Sequence, residues 1–98
     1  PSHRWGDTSV QWLKSPCNGR VEYVWGAIES PIEKGQTAIV LYDFDDKETL
    51  RIAMDLKVWV KAVNISTGNR VANGQELLQV ATDKPLKDGE MRWFFQRT

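Results

Sequence analysis

The sequence predicts an all-β fold made of two similar halves, with one extra strand near the C-terminal end. Three observations lead there. Glycines at 19, 26, 35, 68, 74 and 89 punctuate short apolar stretches. No window keeps apolar residues at helical spacing for three turns. The third observation is an internal repeat: shifted by 39 positions, "PIEKGQTAIVL" from Pro31 falls on "RVANGQELLQV" from Arg70, so Gly35 meets Gly74 and Gln36 meets Gln75. The flanks follow, with Leu13 on Ile52, Val21 on Val60, Val24 on Val63, Ile32 on Val71, Ile39 on Leu78 and Leu41 on Val80. A strand-turn-strand unit of this length is too small to cover its own apolar face. Two copies about an approximate twofold axis would share one core.

The elements follow from composition and alternation. Val10 to Leu13, Arg20 to Trp25, Thr37 to Asp43, Thr49 to Met54, Val58 to Val63, Glu76 to Ala81 and Met91 to Gln96 are each rich in branched or aromatic residues. Asp55 to Val63 admits a helical reading, but Val58, Val60 and Ala62 alternate with Trp59, Lys61 and Val63, which is the period of a strand. Gly35 and Gly74 fall in sharp reversals, where positive φ is open to a residue without Cβ. Gly19 opens the second strand from a turn. Asp88-Gly89 is a hairpin signal before the last strand, whose residues Trp93 and Phe95 share a face opposite Arg92 and Phe94. That strand is expected to pair with the N-terminal "TSVQWL" and close one end, or to be the start of a neighbouring domain; left uncovered, its edge would invite self-association. Seven strands in one small domain imply a compact barrel or sandwich.

Composition narrows the function. The chain has 98 residues, enough for one core only. Its 13 Lys plus Arg balance 13 Asp plus Glu, so no global field holds nucleic acid or an anionic membrane. At 41% hydrophobic and 27% charged it is globular in character, and no apolar run approaches the roughly 20 residues of a membrane span. Cys17 is the single cysteine, which excludes an internal disulfide framework and a thiolate zinc cluster. Pro1 opens the chain with no basic and apolar leader behind it, so the segment reads as a piece of a longer protein.

"SPCNGRVEYV" from Ser15, "IEKGQTAIVLYD" from Ile32 and "VANGQELLQVA" from Val71 together resemble the lipoyl and biotinyl domains and their relatives in membrane-fusion, or periplasmic adaptor, proteins. The likeness spans Val10 to Ala81 within a single domain of residues 1–98. The first segment is similar to the family's "sPxdGrVxxv" strand opening, and the other two to its paired "VxxGqxLxxi" segments. The resemblance implies a barrel-sandwich hybrid with a pseudo-twofold repeat, to which the last strand is an addition.

In carrier members of that family a lysine at the tip of the central hairpin is lipoylated or biotinylated. Lys47 in "YDFDDKETL" occupies that position when counted back from "STGNRVANGQ", and Asp46 precedes it as in the lipoyl "DK" pattern. Counted forward from Gln36 the hairpin is longer than in lipoyl domains, and the repeat centres its tip near Asp45 and Asp46. The biotinyl "MKM" is missing, and Ala53, Asp55 and Val58 stand where carriers have alanine, proline and glycine. Adaptor relatives need no modifiable lysine. Their inserted helical hairpin is absent, because Asp43 to Glu48 is a short acidic turn. The leading expectation is a non-catalytic assembly or partner-binding module of an envelope or transport protein, periplasmic if adaptor-like and without a cofactor. The alternative is a swinging arm with lipoyl or biotin on Lys47.

Other constellations are weaker. His3 is the only histidine and lies at the terminus, a poor base for a catalytic pair. Cys17 reads as a small buried thiol rather than a nucleophile. Asp43, Asp45, Asp46 and Glu48 place four carboxylates in six residues but lack the order of a calcium loop. Five tryptophans exceed what so small a core can hold, and Trp25 and Trp59 are the candidates for an exposed partner-binding patch, joined by Trp93 and Phe95 on the last strand. The partner expected is protein, with a homo-oligomer through the last strand as a further expectation.

Overall fold

A computed structural model describes residues 10–82 and 93–97. Nine strands run in the order β1 (Val10–Lys14), β2 (Gly19–Val24), β3 (Pro31–Ile32), β4 (Thr37–Asp43), β5 (Glu48–Met54), β6 (Val58–Val63), β7 (Arg70–Val71), β8 (Glu76–Ala81) and β9 (Trp93–Arg97). They form two antiparallel sheets, one in the order β1-β8-β6-β3 and one in the order β7-β2-β4-β5-β9. The described residues contain no helix. Branched and apolar side chains alternate inward, as the period of two requires. Leu13, Ile32, Val58, Val60, Leu78 and Val80 from the first sheet join Val21, Ile39, Leu41, Leu50, Ile52 and Met54 from the second in one buried cluster.

The ladder register shifts at four places, and each shift is a bulge. Between Thr37 and Ile39 the extra residue is Ala38, and opposite Leu13 and Lys14 it is Leu77. An extra residue turns two consecutive side chains to the same side. Ala38 and Ile39, like Leu77 and Leu78, are accordingly all buried. The other two bulges fall at Glu22 and Lys61, where the strand sheds a charged side chain to solvent.

The strand ends differ from expectation by a residue or so. β2 starts at Gly19 and stops at Val24, with the Trp25 amide donating to the Ala38 carbonyl beyond it (2.8 Å). The two-residue strands β3 and β7 carry too little pattern to read in advance. Gly19, expected in a turn, is instead the first paired residue of β2, opposite Asp43 and Val71. A Cβ there would lie 2.1 Å from the Tyr42 carbonyl oxygen, so the close approach of two backbones is what requires glycine. The last strand corrects a second expectation. β9 pairs with β5 rather than with β1, placing Trp93 opposite Met54 and Arg97 opposite Leu50. The physical reason is visible at its two ends: Trp93 packs against the core, and Arg97 reaches the buried Asp43 carboxylate. Met91, Arg92 and the Asp88-Gly89 turn lie outside the described residues, as do His3 and Trp5.

Candidate functional site

The β4–β5 hairpin is closed by the pair Asp43–Glu48, and its loop is Phe44 to Lys47. Asp43 organises the loop. Its Oδ1 accepts the amides of Asp45 (2.9 Å) and Asp46 (3.2 Å), and its carbonyl accepts the Lys47 amide (2.8 Å). This leaves Asp45 and Asp46 at the tip and Lys47 one place past it, exposed and at φ 55°. Arg97 gathers the carboxylates from the side: its Nη1 lies 3.0 Å from Asp43 Oδ2, 3.3 Å from Glu48 Oε2 and 3.4 Å from Asp46 Oδ2. Burial alone would push the Asp43 carboxyl up. The Arg97 hydrogen bond and the two loop amides outweigh it and hold the group below its ordinary value. The same hydrogen bond raises the Arg97 guanidinium. The acidic turn is thus internally committed to holding β9.

Cys17 is buried in the core cluster. Burial, and then the Asp43 charge, push its thiol up, against a lowering contribution from Ser15. Ser15 ties the strand opening itself, its Oγ donating to the Cys17 carbonyl (2.6 Å) and lying 3.3 Å from the Cys17 amide.

The four aromatic candidates do not form a single patch. Trp25 lies in the connection after β2, half-buried against the core, with Nε1 donating to Ser30 Oγ (2.8 Å). Trp93 packs on the core at the start of β9, while Phe95, two residues on, is 44% exposed. Trp59 belongs to the other sheet. It alternates with buried Val58 and Val60 and so faces outward, half-buried, with Lys57 Nζ 5.2 Å from its ring centre. Trp12 shares that face. β8 lies between the two strands, with Trp12 opposite its Gln79 and both Trp59 and the half-exposed Val10 opposite its Ala81. The sequence signal for Trp12 was its parity against buried Leu13.

The outer face of the five-stranded sheet holds a feature that sequence reading missed. Arg20 of β2 and Arg70 of β7 are direct cross-strand partners. The Arg20 guanidinium lies 5.4 Å above the Tyr42 ring and that of Arg70 5.8 Å above the Phe44 ring, and the two rings meet edge to face at 6.0 Å. Arg70 opens the two-residue strand that carried no advance signal, so its pairing with Arg20 was out of reach.

In comparisons with known proteins, no family model, no curated protein and no solved structure matches the chain.

Proposed function

We propose that this chain is a non-catalytic barrel-sandwich module of the lipoyl-like kind, serving assembly or partner binding within a larger envelope or transport protein akin to a membrane-fusion adaptor. The observation that supports it is the recurrence of backbone contacts at the 39-residue offset. The Gly35 amide donates to Met54 O and the Gly74 amide to Ser15 O; Trp25 N donates to Ala38 O and Asn64 N to Leu77 O; Glu29 N donates to Val60 O and Gly68 N to Val21 O. Exchanging β1 with β5, β2 with β6, β3 with β7 and β4 with β8 turns the order of one sheet into that of the other, with β9 left over. Two halves that each hydrogen-bond to the other's strands are what the duplicated reading requires.

On this reading the partner surface is the outer face of the four-stranded sheet, where Trp12, Trp59 and Val10 present apolar area at a sheet surface. Aromatic anchors of that kind dominate protein interfaces. The second reading, a swinging arm on Lys47, draws on the exposure of that residue and on Asp46 before it. Against it stand the two aspartates at the tip. The test is a photo-activatable side chain at position 12 or 59 of the full-length protein in its native cell. The assembly reading predicts discrete protein adducts from both sites and none from Lys34, in the Glu33–Gln36 turn. Adducts equally distributed over all three positions would remove it.

A further inference from the structure

We infer that Arg20 and Arg70, braced by Tyr42 and Phe44, form a binding site for a phosphate group on the outer face of the five-stranded sheet. Two guanidiniums directly opposite each other across an antiparallel pair repel, and such an arrangement lowers stability unless something offsets it. Each is held by a ring, Arg20 at 5.4 Å from Tyr42 and Arg70 at 5.8 Å from Phe44. A ring beside each guanidinium limits where it can swing, and a guanidinium so held can take oxyanion oxygens in pairs through its N–H groups. Glu22 accepts only the Arg20 Nε (2.8 Å), leaving that residue's two terminal amino groups for a ligand. Arg70 has no carboxylate partner among the described residues.

The fold itself does not ask for these cations. At the 39-residue offset the same ladder position is the pair Pro31–Trp59, and Ala81 stands where Tyr42 does. Sheet pairing is met there without charge, so strand pairing alone does not call for the two arginines. A dianionic phosphate matches two adjacent guanidiniums better than a carboxylate, which carries one charge and two oxygens. The site does not depend on the lipoyl-like reading. Its ligand is a phosphate group, free in solution or borne by a partner's side chain.

The test follows the Arg Nε–Hε and backbone amide resonances of the protein while inorganic phosphate is added at fixed ionic strength. A peptide with one phosphoserine and otherwise neutral residues is titrated in parallel. The site predicts shifts confined to residues around Arg20, Tyr42, Phe44 and Arg70, and a loss of affinity of about tenfold or more in Arg70→Gln, the effect of one charge-assisted contact. Lys34→Gln, which removes an equal charge elsewhere, leaves the affinity unchanged. Thermal melts of both variants confirm that they remain folded. Binding of the peptide about tenfold tighter than phosphate assigns the group to a partner chain; equal affinities assign it to free phosphate. The proposal is overturned by an absence of localised shifts, by Arg70→Gln binding as tightly as wild type, or by acetate producing the same shifts at the same concentration.

Discussion

Gly35→Val and Gly74→Val should each destabilise the domain, and by the same amount. Gly35 sits at φ 83° and Gly74 at φ 88°, the left-handed region that a β-branched residue enters only under strain. Neither glycine has any heavy atom within 4 Å of where a Cβ would stand, so no clash adds to the cost. What remains is backbone strain of about 1 to 3 kcal/mol per site. The amides of the two sites also match, Gly35 donating to Met54 O at 2.9 Å and Gly74 to Ser15 O at 2.8 Å, while the Gly35 carbonyl alone also accepts from Arg51. The following glutamines match too, Gln36 Oε1 accepting the Glu33 amide and Gln75 Oε1 the Ala72 amide, each at 3.0 Å. For a domain of this size each kcal/mol lowers Tm by roughly 4 to 8 °C, and urea midpoints at constant slope give the free energies. Gly26→Ala is the control, because its φ is not positive and the nearest atom to a Cβ is 4.0 Å away. The reasoning fails if either valine variant is as stable as wild type, or if the two differ by more than about 1 kcal/mol, beyond what independent sites of one geometry should show.

Gly19→Ala meets a different obstacle, the Tyr42 carbonyl oxygen at 2.1 Å from the new Cβ, and should cost about 1 to 3 kcal/mol or more as overpacked backbone; a melt superimposable on wild type would exclude the close approach. Ile52→Ala, in a fully buried position of β5, should lower stability by about 2 to 5 kcal/mol in a denaturant titration. Asp43 has a folded-state pKa below its ordinary 3.8, so its contribution is complete above that value and is lost as pH falls through the lowered one. Acid should therefore loosen β9 through the Arg97 contact, seen as a change in Trp93 fluorescence below about pH 4. In Asp43→Asn that acid step should disappear, and its persistence there would locate the titration elsewhere.

Much of the fold was legible because β1, β4, β5, β6 and β8 are runs rich in branched and aromatic residues between turn signals, with β6 also alternating at period two. Thr37 to Asp43, Val58 to Val63 and Glu76 to Ala81 are strands with the limits their patterns imply. The glycines at 35 and 74 could be read because left-handed turns select so few residue types. β3 and β7 escaped detection, since two residues cannot display a period, and their pairing depends on strands far away in the chain. The placement of β9 depended on a long-range contact, Arg97 with Asp43, separated by 54 positions. Alternation in β6 gave Trp59 its outward parity, but its place on one face with Trp12, across β8, required the register. The arginine and aromatic face is the clearest case of this kind. Arg20, Tyr42, Phe44 and Arg70 are scattered through the sequence and meet only because β2 sits between β4 and β7.

The central claim, a duplicated module that serves assembly rather than acyl or carboxyl transfer, is tested most directly by the intact mass of the full-length protein from its native source beside a Lys47→Ala variant. The account predicts a wild-type mass equal to that of the unmodified chain, with the variant differing only by the substitution. A mass excess matching lipoyl or biotin that vanishes in the variant would contradict it and make the hairpin of β4 and β5 the arm of a carrier.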